Sequence, residues 1–484
     1  MSQALPLGSA FIVAARRSAL GRPGGLHRAR RLEALTSPII EAALKDAKLS
    51  THQVEEIVLG NTTAGGNPAR VVALAAGLDE RVPALTVDRF ANMGGIDKRL
   101  LANQLRECRS FDDEAWAGYW RRLAVEHLDI AAPALKRLGG PAPSELLAPA
   151  DDGLIARLGD VLAPAVEVFA ERTPETAGQL VASFIAGNPD HADAAIAIDE
   201  LVKAMTYLFA ASWPGWTPRR LQAYAESQCL FDALARALGP AMGLDVEVIT
   251  LNVGGETVKA YAAFPAGSEP TATVLITNGL EGAIQEVAMP ILKYRHNGMA
   301  VVTMEMPGTY AYRKPLSLES ENLYVAMLDH LAAHPRVDAD RIGMVGVSFG
   351  AHWSARMALR DKRIKAAVCN GGLYHRSFRP TATFGMPAII LETLRNSTGA
   401  TGLADLGRRL HALSLKAGYP DIKVPLLVIN GDADTLVSTQ DSVDLADAVP
   451  NSELILYPND DHCAMGHYSE WLATSVDWLQ RHLG

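Results

Sequence analysis

Cysteine is scarce in this sequence: the 484 residues hold four, Cys108, Cys229, Cys369 and Cys463, and no two form a CxxC pair. That excludes a disulfide framework and a zinc ribbon and leaves reduced, mostly buried thiols as the expectation. Long apolar runs are missing as well. No segment approaches the ~18 unbroken apolar residues that a membrane span needs, so no membrane partner is expected. Concentrated positive charge is the third absence. The formal net charge is -9 and no long Lys/Arg cluster occurs, which argues against a phosphate-backbone partner and so against nucleic acid. The basic patch from Arg28 to Arg31 reads as the solvated start of a helix. The early apolar run Ala10 to Ala15 is short, meets Arg16-Arg17 and has no basic region ahead of it. This is the wrong order for a signal peptide, and a cytoplasmic location is expected.

What is present is the composition of a globular chain, 49% hydrophobic and 20% charged, longer than one core usually organises. Two or three domains follow. Residues 1–96 alternate short apolar runs at Phe11-Ile12-Val13-Ala14, Ile57-Val58-Leu59 and Ala84 to Val87 with helical patterns at Leu32 to Ala47 and Ala69 to Ala76, a βαβαβ rhythm. Residues 97–244 are Ala- and Leu-rich, broken at Gly139-Gly140-Pro141, Asn188-Pro189 and Pro214-Gly215, and read as an all-helical cap, with Pro143 to Gly153 a candidate linker. From Asp245 the texture changes. Val246 to Val253 and Thr257 to Phe264 flank Gly254-Gly255 like a hairpin. Buried strands are expected at Thr273 to Thr277, Ala300 to Met304, Ile342 to Val347, Ala366 to Cys369, Leu426 to Asn430 and Glu453 to Tyr457. Helical segments between most of them make residues 245–484 a mostly parallel α/β sheet covered on both faces.

The stretch "RIGMVGVSFGAHWSARMAL" carries the chemistry: an apolar strand enters Gly346-Val347-Ser348-Phe349-Gly350 and leaves as a helix. In that context G-x-S-x-G is a nucleophile elbow, in which side chains at 346 or 350 would obstruct the sharp turn. A hydroxyl needs a base to take its proton, and the base needs an acid to fix its tautomer. Downstream, "NGDADTLV" places Asp434 in a turn after one strand and "NDDHC" places His462 after the next. The order Ser348, Asp434, His462 is that of α/β-hydrolases. Asp432 and His467 are the rivals; the turn pattern favours Asp434, and His467 is expected inside the last helix. The cluster Asp460, Asp461, His462 and His467 has metal-ligand residue types but no second histidine pair, so no metal is expected. The oxyanion donors are expected to be the backbone amides of Phe349, after the nucleophile, and Leu280, in the Asn278-Gly279-Leu280 turn after the first core strand.

With these residues in hand, roughly 105–484 resembles the FrsA-like esterases of the α/β-hydrolase class, relatives of 2,6-dihydroxypseudooxynicotine hydrolases and fungal polyketide chain-shortening hydrolases. The resemblance rests on "NGLEGAIQE", "TMEMPGTYAY", "GVSFGAHWSARMAL" and the helical "LFAASWPGWTPRRLQAYAESQCLFDAL". It implies a helical region over the active-site mouth and hydrolysis of an ester or of a carbon–carbon bond next to a ketone. Glu305 keeps the acidic residue usual before the M-P-G turn, whereas Ala351-His352-Trp353 depart from the glycine and tyrosines common in relatives. Residues 1 to about 96 resemble the start of a thiolase, through "AFIVAARRSALGRPGG", "PIIEAALKDAKLSTHQVEEIVLGNTTAGGNPARVVALAAGL" and "VPALTVDR". Where a thiolase presents its catalytic cysteine, this chain has Ala91, so no acyl-thiol can form there.

The stretch between Gly371 and Val424 is long for a loop and reads as a lid, about 374–422. Glu281, His352, Tyr374, Phe378 and Phe384 are the pocket candidates; Leu373, Met386 and Leu391 are further apolar candidates, and Arg376 and Arg379 are candidates for an anionic group. The reading is a serine hydrolase of a small or polyketide-like substrate, without cofactor, expected as a homodimer, with a thiolase or ketosynthase as a conceivable partner. The competing classes are a non-catalytic scaffold for such a partner and a thioesterase acting on β-keto thioesters.

Overall fold

The computed structural model describes residues 14–16, 32–54, 72, 75–77, 95–96, 98–108, 110–173, 176–379, 382 and 388–484. The expected runs from Phe11, Ile57 and Ala84, the position Ala91, and the lid residues Phe384 and Met386 lie outside the described residues. The chain divides into two compact units, Met1–Thr86 and Val87–Gly484. That division falls before the expected one near residue 96. Gly95 lies against Val202 and Thr206, and Ile96 is buried in the helical core, so this stretch belongs to the second unit.

In the first unit, helix α1 (Leu32–Ala47) occupies the expected range. Its apolar positions Ile40 and Leu44, one turn apart, pack with Val54 on buried Ala76.

The second unit opens with helices α2 (Lys98–Glu107), α3 (Asp113–Leu138), α4 (Asp152–Leu162), α5 (Glu167–Ala170), α6 (Ala177–Gly187), α7 (Ala192–Ser212) and α8 (Pro218–Leu238). In α3, Trp116, Trp120, Leu123, Ala124, Leu128, Ala131 and Leu135 recur at helical spacing and are buried; the helix stops at Gly139, whose φ of 74° is a left-handed cap. α7 is apolar nearly all round and packs between α3 and α8. Its polar residues are paired rather than solvated: Asp199 with Arg172 and Lys203, Glu200 with His127 and Lys203. The stretch 143–153 is no linker. Pro143 and Leu146 are buried in a 3-10 turn against α3 and α8, because its two apolar side chains have a core to enter.

One eight-stranded sheet follows: β1 (Leu244–Val253), β2 (Glu256–Pro265), β3 (Thr271–Thr277), β4 (Ala300–Met304), β5 (Val337–Val347), β6 (Ile364–Asn370), β7 (Leu426–Gly431) and β8 (Ser452–Tyr457). Their spatial order is β1-β2-β4-β3-β5-β6-β7-β8. The β1–β2 hairpin turns at Gly254-Gly255, with φ of 57° and 87°, values glycine adopts at no steric cost. β2 meets β4 antiparallel, and every pair from β4 to β8 is parallel. Alternation decides the faces. Leu275, Met344 and Val428 join one core, while Ile276, Val345 and Ile429 join the other. The first core is closed by α10 (Glu321–Ala333), α11 (Phe349–Arg360) and α14 (Thr439–Ala448), the second by α15 (Tyr468–Leu483); a short helix α9 (Ile284–Ala288) follows β3. The chain passes from β3 to β4 on one side and on to β5 on the other. The carboxyl ends of β3 and β5 therefore flank the point where the strand order reverses, the place where open α/β sheets bind ligands.

The stretch 374–422 carries helices α12 (Ala388–Thr398) and α13 (Leu403–Ala412). Its start is held by one buried carboxylate: Asp441 of α14 accepts the backbone amides of Tyr374, His375, Arg376 and Ser377 at 3.3, 2.9, 2.7 and 2.8 Å. Removing it strands several donors that water reaches poorly. Asp441→Ala is expected to destabilise this unit by about 3 kcal/mol, read as a lower denaturant midpoint. An unchanged midpoint would show that the amides find other acceptors.

Candidate active site

Four polar side chains end four parallel strands, and the site is built from them. β5 runs apolar to Val347, then turns sharply so that Ser348 stands at φ 57°, ψ −125° before α11 begins at Phe349. A non-glycine residue there is strained, and the surroundings must hold it. They do so by close approach. A Cβ on Gly346 would lie 2.1 Å from the Gly350 carbonyl oxygen, and one on Gly350 would lie 2.4 Å from the Asn278 oxygen. The Ser348 amide donates to the Asn370 carbonyl at 2.7 Å.

Opposite the hydroxyl, the loop after β8 presents His462, with Cys463 and Ala464 at φ 60° and 50°. Its Nε2 lies 2.8 Å from Ser348 Oγ and its Nδ1 lies 2.9 Å from Asp434 Oδ2. The Asp434 side chain is fully buried; Oδ2 also accepts Asn430 Nδ2 at 2.9 Å, and Oδ1 accepts the amides of Leu436 and Val437 at 2.8 and 2.9 Å. Burial pushes this carboxyl up, but the charge and hydrogen bond of His462 and those donors hold it below its ordinary range. For His462 the balance has the opposite sign. Burial disfavours the imidazolium, while Cys463 and the Asp434 carboxylate raise its pKa well above the usual imidazole value.

The rivals have other partners. Asp432 accepts the Asn459 amide at 2.7 Å. His467 caps α15 rather than lying inside it, and its Nδ1 meets Asp460 at 2.6 Å. Asp461 takes the amides of His462 and Thr435 and the Thr435 hydroxyl. Among the described residues no group of His, Cys, Asp and Glu is arranged to hold a metal.

The turn after β3 leans on Ser348. A Cβ on Gly279 would lie 2.7 Å from Ser348 Cβ, so the turn carrying Leu280 closes directly over the serine. Asn278 Oδ1 accepts the Met306 amide at 2.9 Å and anchors that turn to the end of β4. Glu281 is buried, its carboxylate accepting Trp213 Nε1 at 2.8 Å and Thr393 Oγ1 at 3.0 Å. Glu305 is also buried, and burial pushes its carboxyl up to about 7 although Tyr224 and the Ile284 amide donate to it.

Of the other three pocket candidates, His352 lies on α11 itself, and Tyr374 and Phe378 follow β6. His352, Tyr374 and Phe378 are fully buried. Phe378 lies against Phe349 and His352, and His352 Nδ1 meets the Leu373 carbonyl at 3.1 Å. Burial, with Arg356 nearby, lowers the His352 pKa to about 3, so its ring is neutral. Arg376 is paired with Asp444, and Arg379 lies 3.3 Å from His375.

Two residues at the heart of the site are absent from the sequence reading. Asn370 ends β6, accepts the Ser348 amide and donates from Nδ2 to the Cys463 carbonyl at 3.0 Å. Asn430 near the end of β7 donates to Asp434 and accepts the Cys463 amide at 3.1 Å. The signal available was a lone asparagine closing an apolar strand before glycine, in "VCNGG" and "VINGD".

Comparison with known proteins agrees with this architecture. Residues 186–483 match the family described as Esterase FrsA-like, and residues 10–97 match the thiolase N-terminal domain. The Esterase FrsA of Photobacterium profundum is 26% identical over 297 residues, covering 59% of this chain and 69% of the relative. That of Vibrio cholerae is 27% identical over 256 residues, covering 51% and 61%. The chain thus spans about two thirds of these relatives' lengths. Among solved structures, 2,6-dihydroxy-pseudo-oxynicotine hydrolase superposes with a TM-score of 0.54 at 21% identity, over 72% of this chain and 95% of that one. AbyA5 does so with 0.53 at 23% identity, over 62% and 88%. The shared architecture is the α/β-hydrolase fold.

The close approach at Gly279 has a direct consequence. Gly279→Ala displaces either the serine or the turn, and an error of about 1 Å at a reacting group costs about 10²-fold in rate. Hydrolysis of an aryl ester is expected to fall by about that factor in a variant whose circular dichroism is unchanged. Unchanged turnover would mean that the turn does not bear on Ser348 in solution.

Proposed function

The chain belongs to the FrsA-like esterase family, and from that premise we propose that Ser348, His462 and Asp434 hydrolyse a small carboxylic ester through an acyl-serine intermediate. One observation carries the reading: a continuous hydrogen-bonded relay, 2.8 Å then 2.9 Å, runs from a strained serine through an imidazole to a buried carboxylate.

The steps follow from which atoms face which. Asp434 accepts a hydrogen bond from Nδ1–H and so fixes the tautomer, leaving Nε2 with a lone pair directed at Ser348 Oγ. As Oγ attacks the carbonyl, Nε2 takes its proton, and Asp434 stabilises the imidazolium without taking a proton itself. The carbonyl oxygen becomes an oxyanion beside the amides of Phe349 and Leu280. Phe349 is the first residue of α11, so its amide lacks an intrahelical acceptor and sits at the positive end of the helix. His462 then protonates the leaving alkoxide, and water repeats the sequence to free the acid.

The second reading is cleavage of a carbon–carbon bond next to a ketone, with His462 protonating an enolate carbon. A structure of this fold is named for hydrolysing 2,6-dihydroxy-pseudo-oxynicotine, and the same acyl-serine serves both reactions. The segment matching thiolases has Ala91 where the acyl-accepting thiol would stand, so it adds no second nucleophile to either scheme.

Ser348→Ala is expected to reduce turnover of a short-chain aryl ester by at least about 10⁴-fold, and Asp434→Asn by about 10³- to 10⁴-fold. Running a β-diketone alongside, with product identification, separates the readings: carbon-bond cleavage lost with Ser348 selects the second, and ester turnover alone selects the first. Turnover surviving in Ser348→Ala would overturn both. The pH dependence has a fixed sign. The neutral imidazole is the base, so kcat/KM should fall as pH drops through a value above 6.5, the ordinary imidazole pKa from which His462 is raised. An acid limb centred well below 6.5 would contradict the Asp434–His462 pairing.

A further inference from the structure

The helical region supplies no member of the relay, yet one face of α8 reaches into the catalytic sheet. Tyr224, Ser227, Gln228 and Phe231 recur at helical spacing on that face. The Tyr224 hydroxyl donates to Glu305 Oε2 at 2.9 Å, and Gln228 Nε2 donates to Glu305 Oε1 at 3.4 Å and to Gln285 Oε1 at 2.7 Å. Gln285 Nε2 in turn donates to the Ser227 hydroxyl at 2.9 Å. Farther along the face, Phe231 and Ala235 line an apolar cavity of about 60 Å³ with Tyr261 and Thr303. The polar contacts at Tyr224 and Gln228 are therefore what ties this face of α8 to the sheet near the site.

The other side of Glu305 faces the turn over the serine. Its Oε1 accepts the Ile284 amide at 3.2 Å. Ile284 begins α9, immediately after the residues Gly279-Leu280-Glu281-Gly282-Ala283. The same turn is held a second time from this side. Tyr310 stacks on Tyr224 with ring centres 4.9 Å apart, and its hydroxyl donates to the Glu281 carbonyl at 2.9 Å. Leu280 thus sits between an anchor on the nucleophile and two anchors that end on α8. Tyr224, Gln228 and the Ile284 amide are all neutral donors, so the ionised carboxylate present above a pH of about 7, with acceptor sites only, matches all of them at once.

We infer that Glu305 is a positioning residue for the turn that carries the Leu280 amide, and that α8 sets the height of that amide above Ser348 through Tyr224 and Glu305. The inference rests on the assignment of Leu280 as an oxyanion donor in the serine-hydrolase reading. A displaced oxyanion donor weakens the transition state and leaves ground-state binding nearly untouched, so the loss belongs in kcat rather than KM.

The experiment is a double-variant cycle on the full chain, with an aryl ester as probe and with wild type and Ser348→Ala in the same assay. Glu305→Gln is nearly isosteric but replaces one acceptor oxygen by an amide donor. It is expected to lower kcat by about 10- to 10²-fold with KM within about 3-fold. Tyr224→Phe removes the shorter of the two contacts that α8 makes with Glu305, leaving that of Gln228, and should lower kcat by about 3- to 10-fold. Because both act through one carboxylate, Glu305→Gln/Tyr224→Phe should be no worse than Glu305→Gln. Wild-type kcat in a folded Glu305→Gln, losses confined to KM, or effects that multiply in the double variant would each overturn the inference. Should Glu305→Gln fail to fold, Tyr224→Phe decides alone, and wild-type kcat there rejects the link to α8. Absence of Ser348-dependent turnover in the wild type would sink the serine-hydrolase reading instead, which keeps the two failures apart.

Discussion

The backbone of Ser348 is held at φ 57°, ψ −125°, a conformation its side chain disfavours, and the rest of the site is arranged around that cost. The elbow folds back on itself and meets the 277–279 segment more closely than any Cβ would allow, which is why glycine stands at 279, 346 and 350. Tight packing is what stores the strain. Val347 is followed by a helix whose residues Phe349, Ala351 and Trp353 are buried, so relaxing Ser348 would lift a packed helix off the sheet. The return on that strain is a half-buried hydroxyl at a helix N-terminus, beside the point where the strand order reverses.

Strain at one residue does not by itself bring a histidine to it. Ser348, Asn370, Asn430 and His462 come from four different strand ends, and the two asparagines supply the ties. Asn370 joins the elbow to the Cys463 carbonyl, and Asn430 joins the Asp434 side chain to the Cys463 amide. Both asparagines are fully buried, and the Nδ2 group of each donates within the protein, which fixes a loop as well as satisfying a polar group, while Asn370 Oδ1 meets no partner among the described residues. His462 is gripped on either side. Asp461 takes its amide, and the residue after it is held by both asparagines. The imidazole then has little freedom left except rotation about its own side-chain bonds, and Asp434 at Nδ1 sets that rotation.

This division explains what the sequence disclosed. Strands and helices were legible because burial imposes periodicity: Ala300 to Met304 and Leu32 to Ala47 fall where the pattern put them. The serine, aspartate and histidine were legible because each follows a strand in a short turn, and the structure brings these three within hydrogen-bond reach of one another. Asn370, Asn430 and the Glu305 contacts with α8 were not. They join side chains to groups as far as 93 residues away, and nothing periodic marks a polar residue whose partner is that distant. The stretch 143–153 misled for the complementary reason. Its prolines and glycine look like a linker, yet two apolar side chains suffice to pin it down once α3 and α8 offer a surface. His352 shows the limit of residue type as a signal: one turn from Ser348, it is fully buried against Trp353 and Phe378, and burial keeps it neutral.

The helical region and the sheet therefore divide the work unequally but not independently. Every group that exchanges a proton in the proposed reaction lies at the end of a strand. The turn that must receive the developing negative charge lies between the sheet and α8, with polar contacts to both. A hydroxyl and an imidazole supply reactivity wherever they meet, but stabilising an oxyanion depends on where an amide points to within a fraction of an ångström. Such placement requires rigid neighbours on every side, and β4 alone offers one. The buried pairs on α7, Asp199 with Arg172 and Glu200 with His127, stiffen the helix that α8 packs against. A chain of fixed contacts thus runs from an ion-paired helical core through Tyr224 and Glu305 to the turn over the serine, and precision at the reacting carbon is borrowed from residues that never approach it.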